Sequence, residues 1–234
     1  IFDSVIYIPL ESTKESTFGA ICHLQVSEHY YVFYDFDTQG IFVFDKKGKF
    51  VGKITSAPNL PKKQVSNLSD FVLNPFNECI YFSYYYKIQR KPKPVETKQI
   101  AVFKPNGQIS RLIKLDTPLF NSLDYSSFSF LDSNTTLFSR ETKDTSSHHY
   151  FALVKDFKEI KQNLAPLSPS DPFIGYIKNY HVNGRANGYS VWTRNHDNDI
   201  AIMQGATLLK YRFVFPASMS IDSAVYRDTA MMKD

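Results

Sequence analysis

The sequence predicts an all-β fold built from repeated four-stranded antiparallel units. The prediction rests on composition, periodicity and repetition. Aromatic residues are abundant, with 20 Phe and 15 Tyr among 234 residues, and aromatic and β-branched residues favour strands. No long stretch has the periodicity of a helix. Similar hairpin sequences return about every 50 residues along the chain, which is typical of a repeat architecture.

The clearest repeat is a hairpin with a glycine in its turn. Ile41–Phe50 (IFVFDKKGKF) aligns with Ile100–Ile109 (IAVFKPNGQI), and the alignment places Gly48 on Gly107. A glycine at this position is typical of a tight turn between two strands. Weaker copies follow at residues 151–160 and 199–208.

A second hairpin precedes each copy, so every repeat should contain two hairpins. The turns of these hairpins are rich in Asn, Asp, Ser, Gly and Pro, which favour turns. They are predicted at Ser27–His29, Asn74–Asn77, Asp132–Asn134 and Asn183–Gly188. Four-stranded antiparallel sheets in tandem are the blades of a β-propeller, in which the sheets pack face to face around an axis. We therefore predict a propeller with about four blades in this chain.

The isolated strand Val5–Leu10 precedes the first repeat and has no hairpin partner of its own. Propellers commonly use such a strand to close the last blade. Since six blades need on the order of 300 residues, we expect an incomplete chain or an atypical assembly. The predicted segments are a closing strand at 5–10, blades at 20–56, 65–116, 124–165 and 174–216, and a tail or the start of a further blade at 217–234.

A set of segments spread over the chain has a pattern shared with a known family. They are Ile6–Thr13, Ile41–Phe50, Leu68–Pro75, Phe128–Asn134 and Lys210–Pro216. In these segments the chain resembles a six-bladed β-propeller family of predicted exported lipoproteins from Gram-negative gut bacteria, with blades similar to NHL repeats. The resemblance implies export to the periplasm or to an outer-membrane-anchored cell envelope, with a lipid anchor on a cysteine outside this chain. It implies no established reaction, and residues 57–63 depart from the glycine-rich stretch of the family.

Polar residues recur at one level of the first strand of each repeat. When the first strands are aligned on their hairpins, the coinciding residues are His23, Asp70, Ser127 and Asn179. Because side chains alternate across a strand, we expect these four to face one another near the propeller axis. Such a ring either binds a ligand or lines a wet channel. His23 and Asp70 suit a divalent cation, but Ser127 and Asn179 complete only a weak ligand set, so we predict no metal site and no cofactor.

The net charge of the chain and the sequence motifs that it lacks argue against several classes of function. The net charge is only +4, and the basic residues are scattered except in the loop Lys87–Lys98, which argues against nucleic acid as a partner. No apolar run is long enough to span a membrane, and no catalytic or phosphate-binding motif occurs. We predict an exported, non-catalytic propeller that binds a glycan, a peptide or an envelope protein at the channel mouth. The alternative is a metal-assisted hydrolase or lactonase with its site on the axis, and the oligomeric state stays open.

Cys22 and Cys79 each lie in an apolar, strand-like run. We expect each to be a free thiol that behaves as a small buried hydrophobe. A disulfide between them is the alternative, because the two residues lie in neighbouring repeats and an exported protein meets oxidising conditions.

Overall fold

The computed structural model describes residues 5–58, 68, 70–88, 95–115, 123–140, 149–166, 180–186, 189–194, 199–204, 207–212 and 214. Within these residues the chain forms sixteen β-strands and no helix. The strands make four separate four-stranded antiparallel sheets, in each of which consecutive strands pair. The sheets, which we call blades 1 to 4 in chain order, span residues 21–54, 71–114, 123–166 and 180–212.

The chain divides into two compact units, of which the first is Ile1–Phe120 and contains blades 1 and 2. The strands of blade 1 are β1 (Ile21–Val26), β2 (Tyr30–Asp35), β3 (Gly40–Asp45) and β4 (Phe50–Ile54). The strands of blade 2 are β5 (Phe71–Leu73), β6 (Ile80–Ile88), β7 (Val95–Phe103) and β8 (Ile109–Lys114).

The second unit, Asn121–Asp234, contains blades 3 and 4. The strands of blade 3 are β9 (Leu123–Phe130), β10 (Thr135–Arg140), β11 (His149–Lys155) and β12 (Glu159–Pro166). The strands of blade 4 are β13 (Tyr180–Ala186), β14 (Tyr189–Arg194), β15 (Asp199–Gln204) and β16 (Thr207–Arg212). The predicted tail at 217–234 lies outside the described residues.

The turn predicted at Asn183–Gly188 overlaps strand β13. Strand β13 continues to Ala186, and Asn183 pairs with Val191 of β14 instead of forming a turn. A register shift between Asn183 and Ala186 accommodates the extra length of the strand. Turn-forming residues can lie inside a strand where a bulge interrupts the pairing, and the sequence alone did not reveal this bulge.

The core of the first unit lies between blades 1 and 2. Strands β2 and β3 are the central strands of blade 1, and most of their residues are buried on both faces. Val32, Ile41 and Val43 belong to one hydrophobic cluster with residues of blade 2 such as Phe71 and Phe82. Burying an apolar side chain of this size contributes roughly 1.5–3 kcal/mol, so this shared cluster joins the two sheets.

The opposite face of blade 1 is covered by the segment before β1. Phe33, Phe42 and Phe44 form a stacked aromatic row, against which Leu10 and Phe18 pack. The ring centroids of Phe18 and Phe33 are 5.0 Å apart in an edge-to-face arrangement, a favourable geometry for aromatic pairs. The chain before β1 thus forms part of the hydrophobic core.

Residues 5–10, the predicted closing strand, have no regular secondary structure, and Val5, Ile6 and Tyr7 are exposed. The backbone N–H of Glu11 donates to Gly48 O at 2.7 Å. The closing role of this segment is neither shown nor contradicted and stays a prediction.

The two aligned glycine turns have the same geometry. Gly48 and Gly107 have φ of 83° and 81°, a left-handed conformation that favours glycine. In blade 1 the Gly48 N–H donates to Asp45 O, and in blade 2 the Gly107 N–H donates to Lys104 O, both at 2.9 Å. The sequence alignment of the two hairpins is therefore correct at the level of single hydrogen bonds.

A register shift next to this turn recurs in the first three blades. It falls between Val43 and Phe44 in blade 1. The equivalent shifts lie between Val102 and Phe103 and between Leu153 and Val154. These positions coincide in the sequence alignment of the repeats, which indicates that the repeats share bulges as well as strands.

Blade 3 forms its turn without a glycine. Asp156 and Phe157 take positive φ values of 53° and 56°. The Phe157 ring folds back onto the sheet, 6.0 Å from the Phe128 ring and 5.9 Å from the Phe138 ring. Because a bulky residue is rarely found in this conformation, we infer that burial of the ring offsets the backbone strain.

Candidate functional site

The candidate site lies where neighbouring blades meet through their first strands. In the first unit β1 lies beside β5, and in the second unit β9 lies beside β13. The first strands of propeller blades surround the central channel, where propellers commonly bind ligands. The side chains of β1 and β5 are therefore the described groups best placed to meet a ligand.

Strand β1 contains a bulge at the predicted site. The pairing of β1 with β2 shifts register between Cys22 and Gln25, and His23 has a φ of 52°. A positive φ is uncommon for a residue other than glycine and is often found at functional positions. Bulges also redirect side chains and are enriched next to active sites. The bulge interrupts the regular alternation on which the predicted placement of His23 was based.

The side chain of Gln25 joins blade 1 to blade 2 by hydrogen bonding to the backbone of β5. Its Oε1 accepts a hydrogen bond from the backbone N–H of Leu73 at 2.8 Å. Its Nε2 donates to the backbone carbonyl of Phe71 at 2.8 Å. The side-chain amide thus satisfies two backbone groups of β5, as the backbone of a neighbouring strand would.

His23 contacts both Gln25 and Phe71. Its Nε2 lies 2.9 Å from Gln25 Nε2, and its ring centroid lies 4.7 Å from that of Phe71, with the planes tilted by 34°. The side chain is exposed to solvent. His23 therefore reaches from blade 1 to blade 2 and stays accessible.

A second polar contact joins the first hairpins of the two blades. Glu78 Oε1 accepts from the backbone N–H of His29, and Oε2 accepts from His29 Nδ1, both at 3.0 Å. Burial of the Glu78 carboxyl opposes its ionisation. Hydrogen bonds from the Ser27 side chain and from His29 outweigh that effect, and the pKa of Glu78 lies below its ordinary value. The carboxylate is thus fixed at the junction of the two turns.

The four residues of the predicted ring fall in different parts of the structure. His23 lies on β1, and Asp70 is half-buried immediately before β5 and next to Phe71. Ser127 lies on β9 in the second unit. Asn179 lies outside the described residues, so a ring of all four stays a prediction.

Sequence reasoning missed Gln25. The sequence feature that could have identified Gln25 is its long amide side chain between two apolar residues, Leu24 and Val26. An amide carries both a donor and an acceptor, so it is the side chain best suited to pair with a strand.

The metal-dependent alternative has no support among the described side chains. The structure brings no group of three His, Cys, Asp or Glu residues together within that part of the chain. A hydrolase or lactonase site with His23 and Asp70 would need further ligands from residues that the structure does not describe.

Both cysteines are free in the structure. Cys79 is half-buried, and burial raises the pKa of its thiol despite the nearby Arg111 and Lys104. Cys22 is exposed, so its prediction as a buried residue was wrong. The reason is its position on β1, an edge strand of blade 1 whose residues are mostly exposed.

The comparisons with known proteins concern the fold. Residues 1–91 match the sequence model of the DUF5128 family, described as a 6-bladed beta-propeller. A solved structure of a predicted exported protein from Bacteroides fragilis NCTC 9343 is similar, with a TM-score of 0.54 and 12% identity over 91% of this chain and 56% of that chain. A solved member of the duf4221 family from Bacteroides vulgatus ATCC 8482 has a TM-score of 0.45 and 12% identity over 88% of this chain and 60% of that chain. No curated protein matches the chain.

The predicted fold class is confirmed: in the described residues the chain is all-β and forms four four-stranded antiparallel sheets, and residues 1–91 match a family described as a 6-bladed beta-propeller. The chain spans only 56% and 60% of the lengths of the two solved proteins. In the part of the chain that the structure describes, no helix is long and apolar enough to cross a membrane.

Proposed function

We propose that this chain belongs to an exported, non-catalytic propeller that binds a glycan, a peptide or a protein partner at the channel mouth. The observation that carries the proposal is the exposure of apolar side chains on the first strand of blade 1. Ile21, Leu24 and Val26 are all about half exposed or more. The central strands β2 and β3 of the same sheet are largely buried.

Exposed apolar groups on an otherwise well-packed sheet favour an interaction surface. Beside them, His23 supplies an exposed ring that packs at a tilt against the buried Phe71 ring, and Gln25 holds the strand against blade 2. Apolar surface with a few oriented polar groups is the usual composition of a binding site. The described groups suit recognition by stacking and hydrogen bonding better than they suit catalysis.

Export to the periplasm or the cell envelope, with a lipid anchor outside this chain, is part of the proposal. Its supports are the family resemblance of the sequence and the structural similarity to a predicted exported protein of Bacteroides fragilis. Recovery of the native protein in the envelope fraction of its host is the corresponding expectation, and recovery in the cytosol contradicts it.

The binding proposal is tested with a pair of matched surface variants. Leu24 on β1 is 56% exposed and Ile109 on β8 is 51% exposed, so the two residues differ in location more than in exposure. Wild type, Leu24→Ser and Ile109→Ser are compared on an array of bacterial and plant saccharides and on a peptide library. We expect binding to fall at least tenfold in Leu24→Ser, which corresponds to about 1.4 kcal/mol, and to be unchanged in Ile109→Ser.

An equal loss in both variants, or binding that survives Leu24→Ser, would show that the first strand is not the binding surface. Turnover of a saccharide or a lactone by the wild type, lost on treatment with a chelator, would favour the hydrolase alternative instead.

A further inference from the structure

The orientation of the Gln25 amide has a single solution. A backbone N–H can only donate and a backbone carbonyl can only accept. Leu73 N–H therefore requires the amide oxygen of Gln25, and the Phe71 carbonyl requires the amide nitrogen. The usual ambiguity between the oxygen and nitrogen of a side-chain amide does not arise here, because the two backbone partners differ.

The oriented amide determines which nitrogen of the neighbouring neutral imidazole carries the proton. Gln25 Nε2 carries two protons, of which one is donated to Phe71 O. The atom 2.9 Å away on the other side is His23 Nε2. An amide nitrogen donates hydrogen bonds and does not accept them, so Gln25 Nε2 donates its second proton to His23 Nε2. An imidazole nitrogen that accepts a hydrogen bond carries no proton, and the neutral ring therefore carries its proton on Nδ1.

We propose that Gln25 is a positioning residue that fixes His23 as the Nδ1–H tautomer, against the Phe71 ring, at the binding strand of blade 1. This inference rests on the proposed function for its biological meaning, because β1 is the proposed binding surface. With Nε2 engaged by Gln25, His23 presents an oriented ring to a ligand and cannot ligate a metal ion through Nε2 unless Gln25 leaves. The site then suits an uncharged hydrogen-bonding ligand such as a saccharide rather than a divalent cation.

The tautomer can be read directly by long-range ¹H–¹⁵N correlation NMR of the ¹⁵N-labelled chain at about pH 8, above the usual titration range of histidine. We expect the His23 spectrum to show a protonated Nδ1 and an unprotonated Nε2. A protonated Nε2 overturns the proposal. The measurement requires no ligand, so a failure of the proposed binding function leaves its outcome unaffected.

The role of Gln25 is tested by Gln25→Glu. The carboxylate has nearly the same shape and can still accept from Leu73 N–H, but it cannot donate to Phe71 O or to His23 Nε2. We expect the Nδ1–H signature of His23 to be lost in this variant. Gln108→Glu, at an exposed residue of the turn before β8, adds the same charge elsewhere and should leave His23 unchanged. A His23 signature that persists in Gln25→Glu overturns the role of Gln25.

A second measurement uses the wild type alone and so remains informative if Gln25→Glu does not fold. Zinc chloride is added to the labelled protein, and the His23 Nε2 resonance is followed. We expect this resonance to keep its position, because its lone pair is engaged. A zinc-dependent shift of His23 Nε2 overturns the proposal and restores the metal interpretation of the site.

Discussion

Gln25 and Glu78 join blade 1 to blade 2 through contacts with backbone groups. Gln25 pairs with the backbone of Phe71 and Leu73, and Glu78 accepts from the backbone N–H of His29. Hydrogen bonds to backbone groups are directional, whereas the hydrophobic cluster between the blades is not. We infer that the apolar core supplies most of the stability of the junction and that these polar side chains fix its alignment.

The Glu78 contact makes the stability of the junction depend on pH. The pKa of Glu78 is lower in the folded chain than its ordinary value of 4.5. The ionised carboxylate therefore stabilises the fold fully above that ordinary value, and the contribution is lost as the pH falls through the lower folded value. We expect Glu78→Gln to lower the urea midpoint at pH 7 and to lower it less at pH 3.

Glu28→Gln is the matched control, because Glu28 is exposed and precedes His29 on the same turn. Its urea midpoint should follow that of the wild type at both pH values. If Glu78→Gln has the same effect at pH 3 as at pH 7, the carboxylate does not contribute to the junction through its charge.

At the scale of single residues the sequence did not predict the contact that Gln25 makes with blade 2. The alignment of the first strands predicted His23 as a site residue, and in the structure His23 contacts Phe71 of blade 2. The alignment assumed regular alternation, and the bulge at His23 breaks that alternation. Bulges depend on the pairing of a strand with its neighbours, so one strand read alone does not reveal them.

At the scale of the strands and turns, the glycine hairpins are the most predictable feature, because the left-handed turn position strongly favours one residue type. Gly107 also lies against the preceding blade. A Cβ at this position would be 2.7 Å from Lys53 O on β4. The same glycine thus serves both its own turn and the packing between blades. The turn at Asp156 and Phe157 shows why a glycine pattern alone finds only some of the repeats.

We expect Gly107→Ala to destabilise the first unit by about 1–3 kcal/mol, because it adds both backbone strain and a collision with a backbone oxygen. Urea denaturation measures the change. Gly40→Ala is the control, since Gly40 lacks a positive φ and its tightest contact is the flexible Lys53 Cε. An equal or smaller loss in Gly107→Ala than in Gly40→Ala contradicts the proposed double role.

At the scale of the whole chain, repetition of four-stranded sheets predicted the fold class. Blade 1 has apolar residues on both of its faces, with Val32 and Val43 on one face and Phe33 and Phe42 on the other. In an isolated sheet both of these rows would be exposed to water. Such a sheet must pack against a neighbour on each side. The sequence could not predict that the segment around Leu10 and Phe18 covers one of these faces, because that segment has no repeat pattern.

The account depends most on the packing of blade 2 against blade 1 through their first strands. The direct test is a nuclear Overhauser measurement from the side-chain amide protons of Gln25. We predict cross-peaks to the backbone amide proton of Leu73, whose N–H lies 2.8 Å from Gln25 Oε1 although the residues are 48 positions apart. Cross-peaks confined to residues of β1 and β2 would contradict the arrangement of the blades and the site built on it.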